Sequence, residues 1–158
     1  MKIGVISDSH GERLMLDRVA QKFTDISMFV HLGDLCTDAV YLHNITRVPV
    51  EYVCGNCDFT RRIPNNKEIE VGGKRIFLTH GHLYRVKWGT RQLVNYAREK
   101  QYDAVLFGHT HRAEIFKENG TIFMNPGSLS QSRGYTKATI GILEILEDRL
   151  VPHIVKID

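Results

Sequence analysis

The stretch "KIGVISDSHG", residues 2–11, shows the pattern on which the fold prediction depends. Lys2–Ile6 is predicted to be a buried strand, and Asp8 and His10, two metal-ligand residue types, follow it closely. Apolar residues then recur at nearly helical spacing, which predicts a helix over Gly11–Phe23. Residues that can bind metal therefore lie where a strand ends and a helix follows.

The same alternation continues along the chain. Ser27–Leu32 is a second predicted strand, Thr37–Ile45 is a second predicted helix with Thr37 as its N-cap, and Val50–Cys54 is a third strand. This order of strands and helices favours a parallel sheet with right-handed crossovers.

The second half of the sequence is dominated by predicted hairpins. The strands are Lys67–Val71, Arg75–Leu78, Ala104–Phe107, Ala113–Lys117, Thr121–Met124, Thr136–Leu146 and Leu150–Ile157, and one helix is predicted at Thr90–Lys100. Gly72-Gly73 suits a type I′ turn, and "NPGSLSQSRGY", residues 125–135, is predicted to be a loop. A parallel half followed by an antiparallel half predicts one α/β domain over residues 1–158, with two packed sheets and helices outside.

Composition excludes several classes of protein. The chain has 158 residues, of which 42% are hydrophobic and 25% are charged, as in ordinary soluble globular proteins. A net charge of +3 would tolerate a phosphate-containing substrate but is too small for a typical nucleic-acid-binding protein. The odd number of cysteines, three, predicts no disulfide framework, and no signal-peptide or membrane-spanning pattern is found, so a cytoplasmic location is expected.

Five of the predicted strands run into metal-ligand residue types. The candidate ligands are Asp8, His10, Asp34, Asn56, His80, His109 and His111. Because ligands of α/β sheets bind beyond the carboxyl ends of the strands, these side chains can converge on one site. Seven nitrogen and oxygen donors exceed the needs of one tetrahedral ion and suit two ions that share a carboxylate.

The ordered motifs D-x-H, GD, GN, H and GH-x-H resemble those of the calcineurin-like metallophosphoesterase superfamily over nearly the whole chain. The short length without a cap domain is similar to the small single-domain YfcE-type phosphodiesterases, as is "NPGS" at 125–128. The resemblance implies an αββα sandwich of two mixed β-sheets flanked by helices. It also implies a dinuclear metal site in a metal-dependent phosphodiesterase, where a hydroxide activated by both metals attacks phosphorus.

The resemblance also implies a role for each ligand. One ion would be bound by Asp8, His10 and His111, the other by Asn56, His80 and His109, and Asp34 would bridge them. Manganese is the expected metal, and iron, nickel, cobalt and zinc are compatible with mixed carboxylate and imidazole ligands. Two divalent ions, two aspartates and one hydroxide leave a charge of about +1, which would attract a phosphodiester.

Three residues are candidates for catalysis: Asn56, Cys57 and His82. Cys57 stands in "GNCD", where many superfamily members have a histidine that is the proposed general acid. A thiol can donate a proton but brings no positive charge, so activated esters are expected to react better. His82 is the alternative group beside the leaving oxygen.

Two other classes of function compete with the enzyme. One is a non-catalytic protein-binding scaffold of the same fold, similar to the retromer cargo-recognition subunit, which would not need all seven ligands. The other is a zinc or redox site made by Cys36, Cys54 and Cys57. The expected partner of the enzyme is a small phosphodiester, with nucleic acid only as a substrate, no membrane, and a small homo-oligomer as a hypothesis.

Several further residues have open interpretations. Asp58 either orients a neighbour of Cys57 or stabilises the turn, and Arg133 is a candidate phosphate contact. Tyr84 and Trp88 either flank a substrate groove or form a subunit contact. His31, His43 and His153 are predicted to be structural or surface residues, and Ser128 to be a turn residue.

Overall fold

The computed structural model describes residues 1–130 and 137–158, in which the chain forms three α-helices and ten strands. The helices are α1 (Arg13–Lys22), α2 (Thr37–Thr46) and α3 (Arg91–Lys100). The strands are β1 (Lys2–Ile6), β2 (Met28–His31), β3 (Val50–Tyr52), β4 (Asn66–Val71), β5 (Lys74–Thr79), β6 (Ala104–Leu106), β7 (Ala113–Glu118), β8 (Thr121–Pro126), β9 (Thr139–Ile145) and β10 (Leu150–Lys156). Two 3₁₀ turns, His82–Tyr84 and Val86–Trp88, precede α3.

The strands make two five-stranded sheets, with the orders β10-β9-β1-β2-β3 and β4-β5-β6-β8-β7. β1, β2 and β3 pair in parallel, as the alternation of strands and helices predicts. Both sheets are mixed, because β9 and β10 are antiparallel in the first sheet and β4 and β7 are antiparallel in the second. The predicted fold class, two mixed sheets flanked by helices, is confirmed.

The prediction of an antiparallel second half is wrong in part, since its three hairpins are present but two pairings are parallel. β5 pairs with β6 in parallel, and β6 pairs with β8 in parallel. The reason is that α3 carries the chain from β5 to β6, while β7 lies at the edge of the sheet and leaves β8 beside β6. The β4–β5 hairpin follows the prediction, since Gly72 and Gly73 have φ values of 58° and 72°, as a type I′ turn requires.

Two local predictions also need correction. The residue at the N-cap of α2 is Cys36 and not Thr37, because the Asp58 carboxylate already accepts the Cys36 N–H at 2.7 Å. Asn125 and Pro126 belong to β8 and not to the predicted loop. The predicted start of the next strand at Thr136 lies outside the described residues.

The hydrophobic core lies between the sheets and under the helices. One buried cluster combines residues of both sheets, including Ile3 and Val5 from the first and Leu78 and Leu106 from the second. Full burial of each such side chain contributes about 1.5–3 kcal/mol. A second cluster packs α1 and α2 on the outer face of the first sheet, and a third packs α3 on the outer face of the second.

The described part of the chain contains no helix that combines the length and the apolar character needed to span a bilayer.

The two sheets approach each other closely where β1 and β6 end. A Cβ atom at Gly108 would lie 2.0 Å from Ser7 Oγ and 2.9 Å from Asp8 Oδ2. Glycine is therefore required at this position by the space between the sheets. The contact places the ends of β1 and β6, and the ligand candidates that follow them, against each other.

Gly108→Ala is expected to lower the free energy of unfolding by about 1–3 kcal/mol, because the added methyl group must displace Ser7 and Asp8. Urea denaturation of the purified protein measures the change. Gly120→Ala is the control, since its Cβ would meet nothing within 4 Å although its φ is +80° and therefore strained. Metal binding is the second measurement, because Asp8 is a ligand candidate. It should fall in Gly108→Ala and stay unchanged in Gly120→Ala, and equal metal binding in both variants would contradict the packing explanation.

Candidate metal centre

All seven ligand candidates predicted from the sequence meet at one end of the sheets. The ligand atoms of Asp8, His10, Asp34 and His111 lie within 4.8 Å of one another, and so do those of Asp34, His80 and His109. Asn56 joins the second group, since its Oδ1 lies 3.0 Å from His80 Nε2. The two groups share one residue, Asp34.

Asp8 has one satisfied and one unsatisfied carboxylate oxygen. Its Oδ2 accepts hydrogen bonds from Ser7 Oγ at 2.6 Å and from the His109 N–H at 3.0 Å. Its Oδ1 is buried and has no hydrogen-bond partner among the described residues, although His111 Nε2 lies 3.1 Å away. A buried carboxylate oxygen without a partner is costly, so Oδ1 is suited to a cation.

Asp34 divides its two oxygens in the same way. Oδ1 accepts the Cys57 N–H at 2.9 Å. Oδ2 lies 3.4 Å from His80 Nε2 and 3.8 Å from His10 Nε2, so a single oxygen faces both ligand groups. Burial opposes ionisation of this carboxyl, but the His80 imidazole and the Cys57 N–H outweigh burial and hold its pKa below the usual value.

His80 fixes the chemistry of the second group. Its Nδ1 lies 2.8 Å from the carbonyl oxygen of Leu32, which can only accept, so Nδ1 carries a proton, and Nε2 presents a lone pair whenever it is not itself protonated. That lone pair faces Asn56 Oδ1 at 3.0 Å and His109 Nδ1 at 3.1 Å. Lone pairs that converge in this way need a proton or a metal cation between them. The donor set therefore fits a metal ion.

Charge at the second group also suits a cation. Burial lowers the pKa of His109 to about 4, together with the positive charges of protonated His80 and of Lys87. The His109 imidazole is therefore neutral at pH 7 and free to act as a ligand. Burial acts in the same direction on His80, but Asp34 and Asp8 outweigh it and raise the pKa of His80. A proton is held there by the same carboxylates that would hold a metal.

The backbone is strained at most of the ligands. Asp8, His10, Asp34, His109 and His111 have φ values of 52°, 46°, 59°, 71° and 59°. Residues other than glycine rarely adopt this left-handed conformation, and it concentrates at functional sites where the surroundings enforce it. The strain must be offset by contacts around the ligands.

Asp58 supplies part of that compensation. Its Oδ2 accepts the N–H groups of Asp34 and Gly55 at 2.9 and 2.8 Å, and its Oδ1 accepts those of Leu35 and Cys36 at 3.1 and 2.7 Å. One carboxylate thus joins the loop after β2 to the loop after β3. Of the two interpretations of Asp58, stabilisation of the turn is confirmed.

A buried network that the sequence analysis missed supports the loop after β1. Ser9 Oγ donates to Asp38 Oδ2 at 2.6 Å and lies 2.8 Å from His31 Nε2, and His31 Nδ1 accepts the Gly33 N–H at 3.2 Å. Asp38 Oδ2 also accepts the Gly11 N–H at 2.9 Å. His31 is therefore structural, as predicted, and contacts Ser9, the residue between Asp8 and His10. Long-range partners of this kind leave no signal in sequence spacing.

Two residues of "NPGS", Asn125 and Ser128, form hydrogen bonds to the loops that carry ligand candidates. Asn125 is buried, and its Nδ2 donates to the Gly108 carbonyl and to Thr110 Oγ1, both at 3.0 Å. Ser128 Oγ donates to the Asp8 carbonyl at 2.8 Å, so its role extends beyond the predicted turn. Arg133 lies outside the described residues, and its predicted phosphate contact stays a prediction.

The hypothesis of a zinc or redox site made by Cys36, Cys54 and Cys57 is wrong in part. Cys54 is buried in the core, and its sulfur lies near Cys36 and Asp58, whereas Cys57 is exposed and belongs to no such group in the described residues. Each oxygen of Asp58 already accepts two backbone N–H groups, so this carboxylate has little capacity left for a metal. The C-x-x-C spacing does not make one site.

Cys57 and His82 lie beside the second ligand group. The Cys57 N–H contacts Asp34, and burial together with the negative charge of Asp34 raises the pKa of the Cys57 thiol. The His82 ring centroid lies 5.4 Å from that of His80 and 6.1 Å from that of His109. Burial and the neighbouring His80 lower the pKa of His82, and its Nδ1 has no partner within the described segments.

The fold and this cluster define a protein of the metallophosphoesterase class. The model of the calcineurin-like phosphoesterase superfamily domain matches residues 1–148, and the chain belongs to this superfamily. It is 32% identical over 161 residues to a probable metallophosphoesterase of Methanothermobacter thermautotrophicus, which covers 99% of this chain and 92% of the relative.

Two solved structures show the same fold. A predicted phosphoesterase from Streptococcus pneumoniae TIGR4 has a TM-score of 0.83 and 30% identity, covering 98% of this chain and 88% of the other. Vps29 from Entamoeba histolytica, complexed with zinc, has a TM-score of 0.77 and 25% identity, covering 99% of each chain. The resemblance stated from the motifs is confirmed.

The His31 network predicts how stability changes with pH. Burial, opposed by the charges of Asp38 and Asp58, lowers the pKa of His31 to about 4. As the pH falls, the unfolded chain therefore binds this proton before the folded chain does. The free energy of unfolding is highest above about pH 6.5 and falls by roughly 1.4 kcal/mol per pH unit down to about pH 4. Urea denaturation across this range should show a shallower dependence for His31→Gln than for wild type.

His153→Gln, at a half-exposed position on β10, is the matched control. Parallel curves for wild type and His31→Gln would show that His31 does not cause the dependence.

Proposed function

We propose that this protein is a metal-dependent phosphodiesterase with two divalent cations, manganese being the first candidate. The observation that carries the proposal is the position of Asp34 Oδ2, which lies 3.4 Å from His80 Nε2 and 3.8 Å from His10 Nε2 and so faces both ligand groups. In this proposal Asp8, His10 and His111 would hold one cation, Asn56, His80 and His109 would hold the other, and Asp34 would be shared by both groups.

The cations would supply a more acidic water and neutralise negative charge on the phosphoryl oxygens. In hydrolysis of a diester the oxygen of a water would bond to phosphorus, the bond from phosphorus to the leaving oxygen would break, and the leaving oxygen would gain a proton. The aspartates contribute two negative charges against the four positive charges of such a pair. A hydroxide would bring one more negative charge, and the remaining surplus of about +1 would attract a monoanionic diester.

The chain offers two groups for the leaving oxygen. Cys57 has a raised pKa, so its thiol is protonated at pH 7 but is a weak acid. His82 has a lowered pKa and an Nδ1 with no partner in the described residues, so it is a neutral group that can accept or pass on a proton. Neither supplies the positive charge of an imidazolium, which favours esters with good leaving groups.

The scaffold alternative is supported by one specific observation, the similarity to Vps29 at 25% identity over 99% of both chains. That structure contains zinc, so a bound metal alone does not separate a scaffold from an enzyme. Catalytic turnover of a phosphodiester separates an enzyme from a scaffold. A cytoplasmic location, a small phosphodiester as partner, and a homo-oligomeric state remain part of the proposal.

Hydrolysis of bis-p-nitrophenyl phosphate tests the proposal. After EDTA treatment and removal of the chelator, the protein should be inactive, and added Mn²⁺ should restore release of p-nitrophenolate, because the hydroxide and the charge neutralisation depend on the cations. The monoester p-nitrophenyl phosphate, which carries more negative charge, should react more slowly. No metal-dependent release from freshly reconstituted protein would favour the scaffold.

Cys57→His is expected to keep metal binding and to raise kcat on diesters with poor leaving groups by roughly 10-fold or more, because an imidazole near pKa 6.5 is a better acid at pH 7. Diesters of graded alcohol pKa measure the change as a smaller dependence of rate on leaving group. Cys57→Ala separates the two roles of the residue: loss of bound metal in that variant would show that the sulfur is a ligand and would refute its assignment to the leaving group.

A further inference from the structure

Two aromatic side chains are exposed on the loops that carry metal-ligand candidates. Phe59 is 99% exposed and Trp88 is 90% exposed, the two most exposed of the large hydrophobic side chains in the described residues. Burial of such rings normally stabilises a protein, so full exposure leaves that stabilisation unused. Both rings are therefore available to a ligand.

The loops that carry these rings meet at the candidate metal centre. Phe59 lies in the connection from β3 to β4, three residues after Asn56, and Trp88 lies in the connection from β5 to α3, six residues after His82. The connections touch where Asn56 Oδ1 lies 3.0 Å from His80 Nε2. The Val86 N–H, two residues before Trp88, donates to the Gly81 carbonyl at 3.4 Å, which holds this loop against the residue that follows His80.

Each ring has cationic neighbours in sequence. Arg61 and Arg62 follow Phe59, and Arg85 and Lys87 precede Trp88. All four side chains are exposed, and none forms a salt bridge with a carboxylate of the described residues. An exposed aromatic ring beside unpaired cations matches the two parts of a nucleotide, since the base stacks and the phosphate is attracted by positive charge.

We propose that the substrate of the phosphodiesterase contains a nucleoside, and that Phe59 and Trp88 are stacking platforms for bases attached to the diester held at the metal centre. The proposal rests on the proposed function and specifies its substrate class. The small net charge of +3 and the limited extent of the two loops favour a short substrate, such as a dinucleotide or a strand end, over a long duplex. Lysine and arginine then contact phosphates without sequence preference.

Two p-nitrophenyl diesters separate stacking from chemistry. Thymidine 5′-(p-nitrophenyl phosphate) and methyl p-nitrophenyl phosphate lose the same leaving group, so their ratio of kcat/KM reports recognition of the nucleoside alone. With Mn²⁺, wild type should favour the thymidine ester by at least about fivefold, the lower end of what base stacking contributes. Phe59→Ala and Trp88→Ala should each reduce the ratio, while Phe59→Tyr and Trp88→Phe should keep it.

Leu14→Ala is the control for exposed apolar surface, since Leu14 is 74% exposed on α1, and the ratio should not change in that variant. A ratio near one in wild type, or a ratio that neither alanine variant changes, would overturn the proposal. If the methyl ester is hydrolysed normally, such a result leaves the phosphodiesterase itself standing. Absence of hydrolysis of both esters would instead count against the proposed function.

Fluorescence gives a readout that does not depend on turnover. Trp88 is the only tryptophan of the chain, so its emission reports directly on a base that stacks there. Thymidine 5′-monophosphate should quench it and methyl phosphate should not, and Phe59→Ala should weaken the effect. Equal quenching by both phosphates would contradict stacking. Sedimentation velocity tests the competing occupant: a dimer that Phe59→Ala converts to monomer, with no change in the ester ratio, would assign the rings to a second copy of the chain.

Discussion

The position of the Asp34 carboxylate is the constraint on which the site depends. Its Oδ1 is held by the Cys57 N–H at 2.9 Å, and the Asp34 N–H is held by Asp58 at 2.9 Å, so both ends of the residue are fixed. Only Oδ2 remains for ligand binding, and it faces histidines from both groups. The loops after β1, β2, β3, β5 and β6 are arranged around this one oxygen.

This arrangement is costly for the folded chain without a cation. Asp8 and Asp34 are 0% and 2% exposed, and the lone pairs of His80, Asn56 and His109 converge. Buried charge requires compensation, and the strained φ values at five ligands add to the cost. The Asp58 bonds and the Ser9–His31–Asp38 network offset part of it. A cation that binds only the folded state would stabilise the protein further.

Much of the fold and the identity of the ligand candidates could be predicted because they depend on local patterns. Strand periodicity gave the parallel order of β1, β2 and β3, and the residue types after each strand identified Asp8 through His111 as one set. The support behind the ligands could not be predicted. Ser128 contacts Asp8 across 120 residues, and Asp38 contacts Ser9 across 29, and spacing carries no trace of such contacts.

The wrong predictions share one cause, which is tertiary structure that overrides a local sequence pattern. Thr37 matches the usual N-cap types, but the amides at the start of α2 are accepted by Asp58 from another loop, so tertiary contact replaced the local cap. The hairpins suggested an antiparallel second sheet, yet the crossover through α3 makes β5 and β6 parallel. Cys54 and Cys57 share a motif spacing, but the strand end turns one sulfur into the core and leaves the other exposed.

The number of cations bound per chain tests the account most directly. Isothermal titration of the metal-free protein with Mn²⁺, checked by elemental analysis after dialysis, should give two ions per chain in wild type. Asp34→Asn should bind fewer ions and lose diesterase activity, because the shared oxygen loses its charge. Binding of a single ion by wild type, or full metal content and activity in Asp34→Asn, would contradict a dinuclear centre bridged by this carboxylate.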